Sequence, residues 1–160
     1  NLIKNQICDA EIYSFGKKVK DVAYDLFNMN KDVKDRSLLI NIADKMREID
    51  EDIWAKYIIN KISDKNNYII DDLRFQNELN ILEKDNDWIY IVLTIDNKIR
   101  LDRLKKLYPN NYSDHIKNMS HLSEQCDLNF YNKNRVLYLN TNNSLDNIKY
   151  NVEYFINQFD

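Results

Sequence analysis

A single glycine, Gly16, serves the whole of this 160-residue chain, and Pro109 is its single proline. Average usage would place about 11 glycines and about 8 prolines in a chain of this length. Both the Walker A loop and the dinucleotide-binding fingerprint need at least two glycines, so no complete glycine-rich phosphate loop can be written from these residues. Collagen, hairpin-rich barrels and flexible Gly/Ser linkers are excluded on the same ground. Asn reaches 24, Ile 20 and Lys 17. These residues share AT-rich codons, and the asparagines are interleaved with aromatic and β-branched residues, so the bias reads as genomic drift at surface positions rather than as a disordered tract.

The remaining composition describes one globular domain, 1–160, long enough to bury a core. Net charge is −3, and 6 of the 23 basic residues are Arg. That balance argues against a dedicated nucleic-acid binder, which usually carries a basic face. Cys8 and Cys126 are too few and too far apart for a disulfide framework, pointing to a reduced compartment. No apolar run is long enough for a transmembrane helix. A cytoplasmic location is expected. The chain begins at Asn1 rather than Met, which suggests a fragment of a longer protein.

Four apolar segments rich in β-branched or aromatic residues read as buried strands: Ala10–Phe15, Tyr68–Asp72, Trp88–Thr94 and Val136–Leu139. Amphipathic helices fall between and after them. Lys17–Asn28 places Val19, Val22, Ala23, Leu26 and Phe27 on one stripe, and Arg36–Arg47 aligns Leu39, Ile42, Ala43 and Met46. Asp50 or Asp52 would cap a third helix facing inward through Ile53, Trp54, Tyr57, Ile58 and Ile62. Ser144 would cap a last one carrying Leu145, Ile148, Val152, Phe155, Ile156 and Phe159. Strands buried on both faces and separated by helices imply an α/β fold, a three-layer parallel sheet with flanking helices. Tyr13, Tyr57, Tyr68, Tyr90 and Tyr138 are expected to face its core.

Ligands of such sheets bind beyond the carboxyl ends of the strands. The segment Ile69-Ile70-Asp71-Asp72-Leu73-Arg74-Phe75 ends an apolar strand in a carboxylate pair, with Arg74 two residues past Asp72. A carboxylate there can hold Mg²⁺ and a guanidinium can grip phosphate oxygens bidentately. Read alone, the same residues suit a helix cap and a solvated Arg. Arg100 and Arg103 lie three apart, on one face of a helix after the third strand. His115 and His121, with Asp114 and Cys126, match no zinc spacing and read as a polar cluster.

Several blocks resemble, in order, the deoxynucleoside monophosphate kinases of bacteriophages and large DNA viruses, within the P-loop nucleoside-monophosphate-kinase group. Tyr13-Ser14-Phe15 with Lys20 resembles the family's first such block. Arg36-Ser37-Leu38-Leu39 through Asp44, Arg47 and Asp50-Glu51-Asp52-Ile53-Trp54 resembles the second. Asp72-Leu73-Arg74-Phe75-Gln76-Asn77-Glu78 resembles the most specific one, "D-V-R-F-P-N-E", and His121-Leu122-Ser123-Glu124 the "H-x-SE" of the mobile lid. The blocks run from Tyr13 to Glu124.

The resemblance implies transfer of the γ-phosphate of ATP to a deoxynucleoside monophosphate, with ATP and Mg²⁺ as cofactors, a lid over about 97–126, and a homodimer as an assembly it allows. By carry-over, Asp72 would sit near the metal and the acceptor phosphate, Arg74 would clamp that phosphate, and Arg100 and Arg103 would be catalytic lid arginines. Arg36 and Arg47 would orient the monophosphate and Lys20 would face the acceptor. Phe15 and Trp54 would pack near base and sugar, and Glu78 completes the substrate-binding set. Three departures stand out. Ile40-Asn41-Ile42-Ala43 replaces a Gly and a Gln, Gln76 replaces a Pro, and the first strand with its phosphate loop is absent. In the family's order that strand is central, so its absence would leave the second and third strands named above with unpaired apolar edges. Alternatives of other classes are a catalytically inactive relative that binds nucleotides or a protein, and a phosphomevalonate-type kinase.

Overall fold

The computed structural model describes residues 3–4, 7, 9–62, 66–84, 88–121, 124 and 127–159. Its described elements run β1 (Glu11–Tyr13), α1 (Phe15–Phe27), α2 (Arg36–Ile49), α3 (Ile53–Ile59), β2 (Tyr68–Ile70), α4 (Gln76–Leu82), β3 (Tyr90–Thr94), α5 (Asn97–Leu107), α6 (Tyr112–Lys117), β4 (Val136–Asn140) and α7 (Leu145–Ile156). This is a mixed α/β protein.

The four expected strands are present and parallel, but the single sheet is corrected to two. β1 pairs with β2, Ile12 opposite Ile69, and β3 pairs with β4, Val92 opposite Tyr138. Among the described residues nothing pairs β2 with β3. Apolar β-branched runs identify strands through their burial, whereas a pairing partner depends on which edges meet in space. Burial on both faces is also incomplete. Ile12 is 40% exposed, Leu93 65% and Tyr138 63%, so Tyr138 is not the core residue its strand position suggested.

Among the described residues three apolar clusters hold the elements. The largest joins α1, α2 and α3 through Phe15, Val19, Ala23, Leu39, Ile42, Trp54 and Ile58. A second sets Leu79 of α4 against Tyr90 of β3 and Phe130, and a third sets Val152 and Ile156 of α7 against Leu139 of β4. Leu73 and Trp88 touch both the first and second clusters, tying the β1–β2 half to the β3–β4 half. Each fully buried Ile or Leu contributes roughly 1.5–3 kcal/mol relative to exposure, and with no ladder between the halves among the described residues, packing of this kind joins them.

Helix ends follow local chemistry. Asp35 accepts from the Leu38 N–H to start α2, Asp96 from Lys98 to start α5, and Ser144 from Asn147 to start α7. At α3 the Asp52 side chain makes no such bond. With glycine scarce, Asn28 takes the left-handed conformation (φ 51°) that ends α1, which Asn tolerates better than most residues.

Candidate functional site

Gly16 explains itself at the start of α1. The helix leaves its first N–H groups without intrahelical acceptors. Ser14, its N-cap residue, does not cap through its own side chain. Asp72 does so across the β1–β2 pair: its carboxylate accepts from the Phe15 N–H at 2.8 Å, the Gly16 N–H at 2.8 Å and the Ser14 hydroxyl at 2.7 Å. A Cβ on Gly16 would lie 3.0 Å from Asp72 Oδ2. Glycine is used here for close approach, and its backbone φ is not in the left-handed region.

These contacts bear on the metal role expected of Asp72. Three of roughly four carboxylate acceptor positions are filled by protein donors. Among the described residues no three His, Cys, Asp or Glu side chains gather around a common point. The arrangement does not fit Mg²⁺ held by Asp72. Its neighbour Asp71 is less committed, and burial, with the adjacent Asp72 charge, raises its carboxyl above the ordinary range.

Asp72 opens onto a cavity of about 320 Å³, at the small end of ligand pockets. Its walls bring together Phe15, Lys20, Arg36, Arg47, Trp54, Asp72, Arg74 and Glu78, eight residues singled out from the sequence. The other two, Arg100 and Arg103, are not in its lining, and they part company. Arg100 Nη2 donates to Glu124 Oε2 at 2.9 Å, beside the cavity arginines. Arg103 turns the other way, donating to the Thr141 carbonyl at 2.9 Å. A spacing of three put both on one helical face, yet β4's end captured the second.

Glu124 is where the arginines meet. Its Oε1 accepts from Arg36 Nη2 and from Arg74 Nη1, the latter at 2.6 Å, while Oε2 takes Arg100. One carboxylate thus faces three guanidiniums from α2, the loop after β2, and α5. Leu122, Ser123 and Cys126 lie outside the described residues.

Arg47 is held from several sides. Nη2 donates to Glu78 Oε1 at 3.3 Å, Nη1 to Asp44 Oδ1 at 3.4 Å, and the guanidinium carbon sits 3.9 Å from the Phe75 ring centroid. Asp44 in turn meets His121 Nε2 at 2.9 Å. Glu78 is buried and also accepts the Arg74 and Phe75 N–H groups, each at 3.2 Å, at the start of α4. Burial raises its carboxyl above the ordinary glutamate range despite these donors. Glu78 therefore acts through Arg47 and α4. Trp54, 3% exposed, donates its indole N–H to the Ala43 carbonyl at 3.2 Å and belongs to the helical core as much as to the wall.

Lys34, which the sequence reading passed over, also lines the cavity. Burial and the neighbouring Arg36, Lys20 and Arg74 charges lower its ammonium below the ordinary lysine value. Its one sequence signal was position, two residues before Arg36 at the start of α2. The Nε–H groups of Arg36 and Arg47 are buried and meet no acceptor among the described residues. An excess of positive charge with donors to spare is the electrostatic signature of an anion site.

The histidine cluster resolves into separate parts. Asp114 accepts the Arg36 N–H at 3.1 Å and the Ser37 hydroxyl at 2.7 Å, docking α6 on the start of α2. His115 is buried against Tyr108 with ring centroids 4.3 Å apart, and burial lowers its imidazole below the ordinary value. Among the described residues, no helix is long and apolar enough to cross a membrane. No protein-family model matches the chain, and neither does a curated protein or a solved structure.

Proposed function

We propose that the chain carries the acceptor side of a phosphotransferase, binding a deoxynucleoside monophosphate and receiving on it the γ-phosphate of ATP. The observation that supports this reading is the cavity: Lys20, Lys34, Arg36, Arg47 and Arg74 meet on its wall with the aromatic rings of Phe15, Trp54 and Phe75. Cations suit the phosphate and the ring faces suit base and sugar. Catalysis would be positioning and charge stabilisation, with Arg74 and Arg36 on the phosphate and Arg100 neutralising charge beside them, without a covalent intermediate. Arg103, held on the Thr141 carbonyl, has no part in this chemistry, and no step is assigned to a metal on Asp72. The break between β2 and β3 coincides with the place of the resembled family's central strand, which adds weight to a nucleotide-kinase-like fold.

A second reading is nucleotide binding without transfer. It is favoured by the single glycine, which leaves these residues no glycine-rich cradle for ATP phosphates, and by the commitment of Asp72 to α1. A phosphomevalonate-type kinase would share the phosphate clamp and differ in its acceptor. A coupled assay of ADP formation with each of the four deoxynucleoside monophosphates separates these. The kinase reading expects turnover with at least one, reduced about a hundredfold or more by Arg74→Ala, as loss of a bidentate clamp implies. Binding of monophosphates with no ADP formed, in a protein that also binds ATP, overturns transfer in favour of the second reading.

A further inference from the structure

The Arg36, Arg74 and Arg100 guanidiniums carry three positive charges and share one carboxylate. Glu124 and Arg36 side chains are each 13% exposed, Arg100 27% and Arg74 39%. Both oxygens of Glu124 are engaged, so it sits where a tetrahedral anion would find three donors from three elements. The balance is nevertheless incomplete. Lys34 stands close enough to feel Arg36 and Arg74, and the Arg36 Nε–H meets no acceptor among the described residues. Even with the Asp114 carboxylate at the Arg36 N–H counted beside Glu124, four cations face two anions and the cluster stays cationic.

We propose that Glu124 is a resident anion in a phosphate-monoester site, holding the three guanidiniums until the phosphate of a ligand displaces its carboxylate. This rests on the reading of the cavity as a phosphate site and adds a specific device to it. A tethered carboxylate competes with every incoming anion at a fixed effective concentration. Competition of that kind lowers the affinity of all anions by one common factor. Preference for a dianion over a monoanion then comes from the three guanidiniums, while Glu124 sets the threshold below which weak anions fail to bind. A monoester, doubly charged above its second pKa of about 6, exceeds that threshold more readily than a diester or a carboxylate.

The test uses methyl phosphate and dimethyl phosphate as probes, titrated calorimetrically at about pH 8 into the full chain and into Glu124→Gln, which removes the charge and keeps the shape. Displacement predicts that both probes bind the variant more tightly by a similar factor of about ten or more. If the dianion gains far more than the monoanion, Glu124 and the phosphate are bound together and repel, and displacement is overturned. No gain for methyl phosphate, with the unaltered chain still binding it, also overturns the proposal while leaving the phosphate reading intact. Binding of neither probe to either protein would instead remove the phosphate reading on which the proposal rests. Should Glu124→Gln fail to fold with three arginines unbalanced, Glu124→Asp retains the charge on a shorter stem. It is expected to show the same common gain at smaller size, and an unchanged affinity there counts against displacement.

Discussion

The lone glycine is the residue on which the site is hinged. In an ordinary helix, replacing Gly by Ala gains up to about 1 kcal/mol through backbone entropy. Gly16→Ala sets that gain against a Cβ placed 3.0 Å from Oδ2 of Asp72, a carboxylate that three donors hold in place, two of them on that oxygen. Bonds to a charged acceptor are worth about 1.5–3 kcal/mol each, so losing even one outweighs the entropy. We expect Gly16→Ala to lower unfolding stability by about 1–3 kcal/mol in urea titration. A variant stabilised by about 1 kcal/mol would show that Asp72 gives way freely. At this scale much was legible. Asp72 and Arg74 stood out because an apolar strand ended on a carboxylate pair and an arginine. What Asp72 bonds to was not, since the cap it supplies belongs to a helix 56 residues earlier in the chain. Lys34 was missed because a lysine before a helix is an ordinary surface residue until the fold buries it among other cations.

At the scale of elements, the helices were read well wherever an apolar stripe marked one face, as in α1, α2, the 7-residue α3 and α7, and poorly in α4 and α6, which carry none. α4 and α6 span 7 and 6 residues, and each is fixed by one of its own carboxylates, Glu78 at the start of α4 and Asp114 docking α6 on α2. Glu78 is the case that matters for function, because it caps α4 and grips Arg47 of α2 at once. Its folded-state pKa is raised, so the protonated form is favoured in the fold. The stability this adds is present below the ordinary glutamate range and is lost as pH rises through the raised value. Glu78→Gln cannot titrate. The stability difference, wild type minus variant, should therefore fall as urea midpoints are followed upward from about pH 4. A difference that grows with pH would mean Arg47 and the two N–H donors dominate over burial.

For the whole molecule, the α/β class and four parallel strands followed from apolar runs alternating with amphipathic helices, and the division into two sheets did not. Neither Ile70 nor Tyr90 carries a mark of which neighbour it will pair with, and Leu73 with Trp88 bridge the halves by packing instead of by a ladder. The consequence is functional: the cavity draws its walls from the residue before α1, from α1, α2, α3, the loop after β2 and α4, and His121 joins them from beyond α6. Arg100 and Glu124 stand beside it, reaching the cavity arginines from farther along the chain. Equilibrium binding of a deoxynucleoside monophosphate against the matching deoxynucleoside, measured at one ionic strength, asks whether this assembly of cations recognises phosphate. The monophosphate should bind at least about a hundredfold more tightly, two charge-assisted contacts at about tenfold each, and Arg74→Ala should close most of the gap. Equal affinity for the two, unchanged by Arg74→Ala, would contradict the phosphate-site reading.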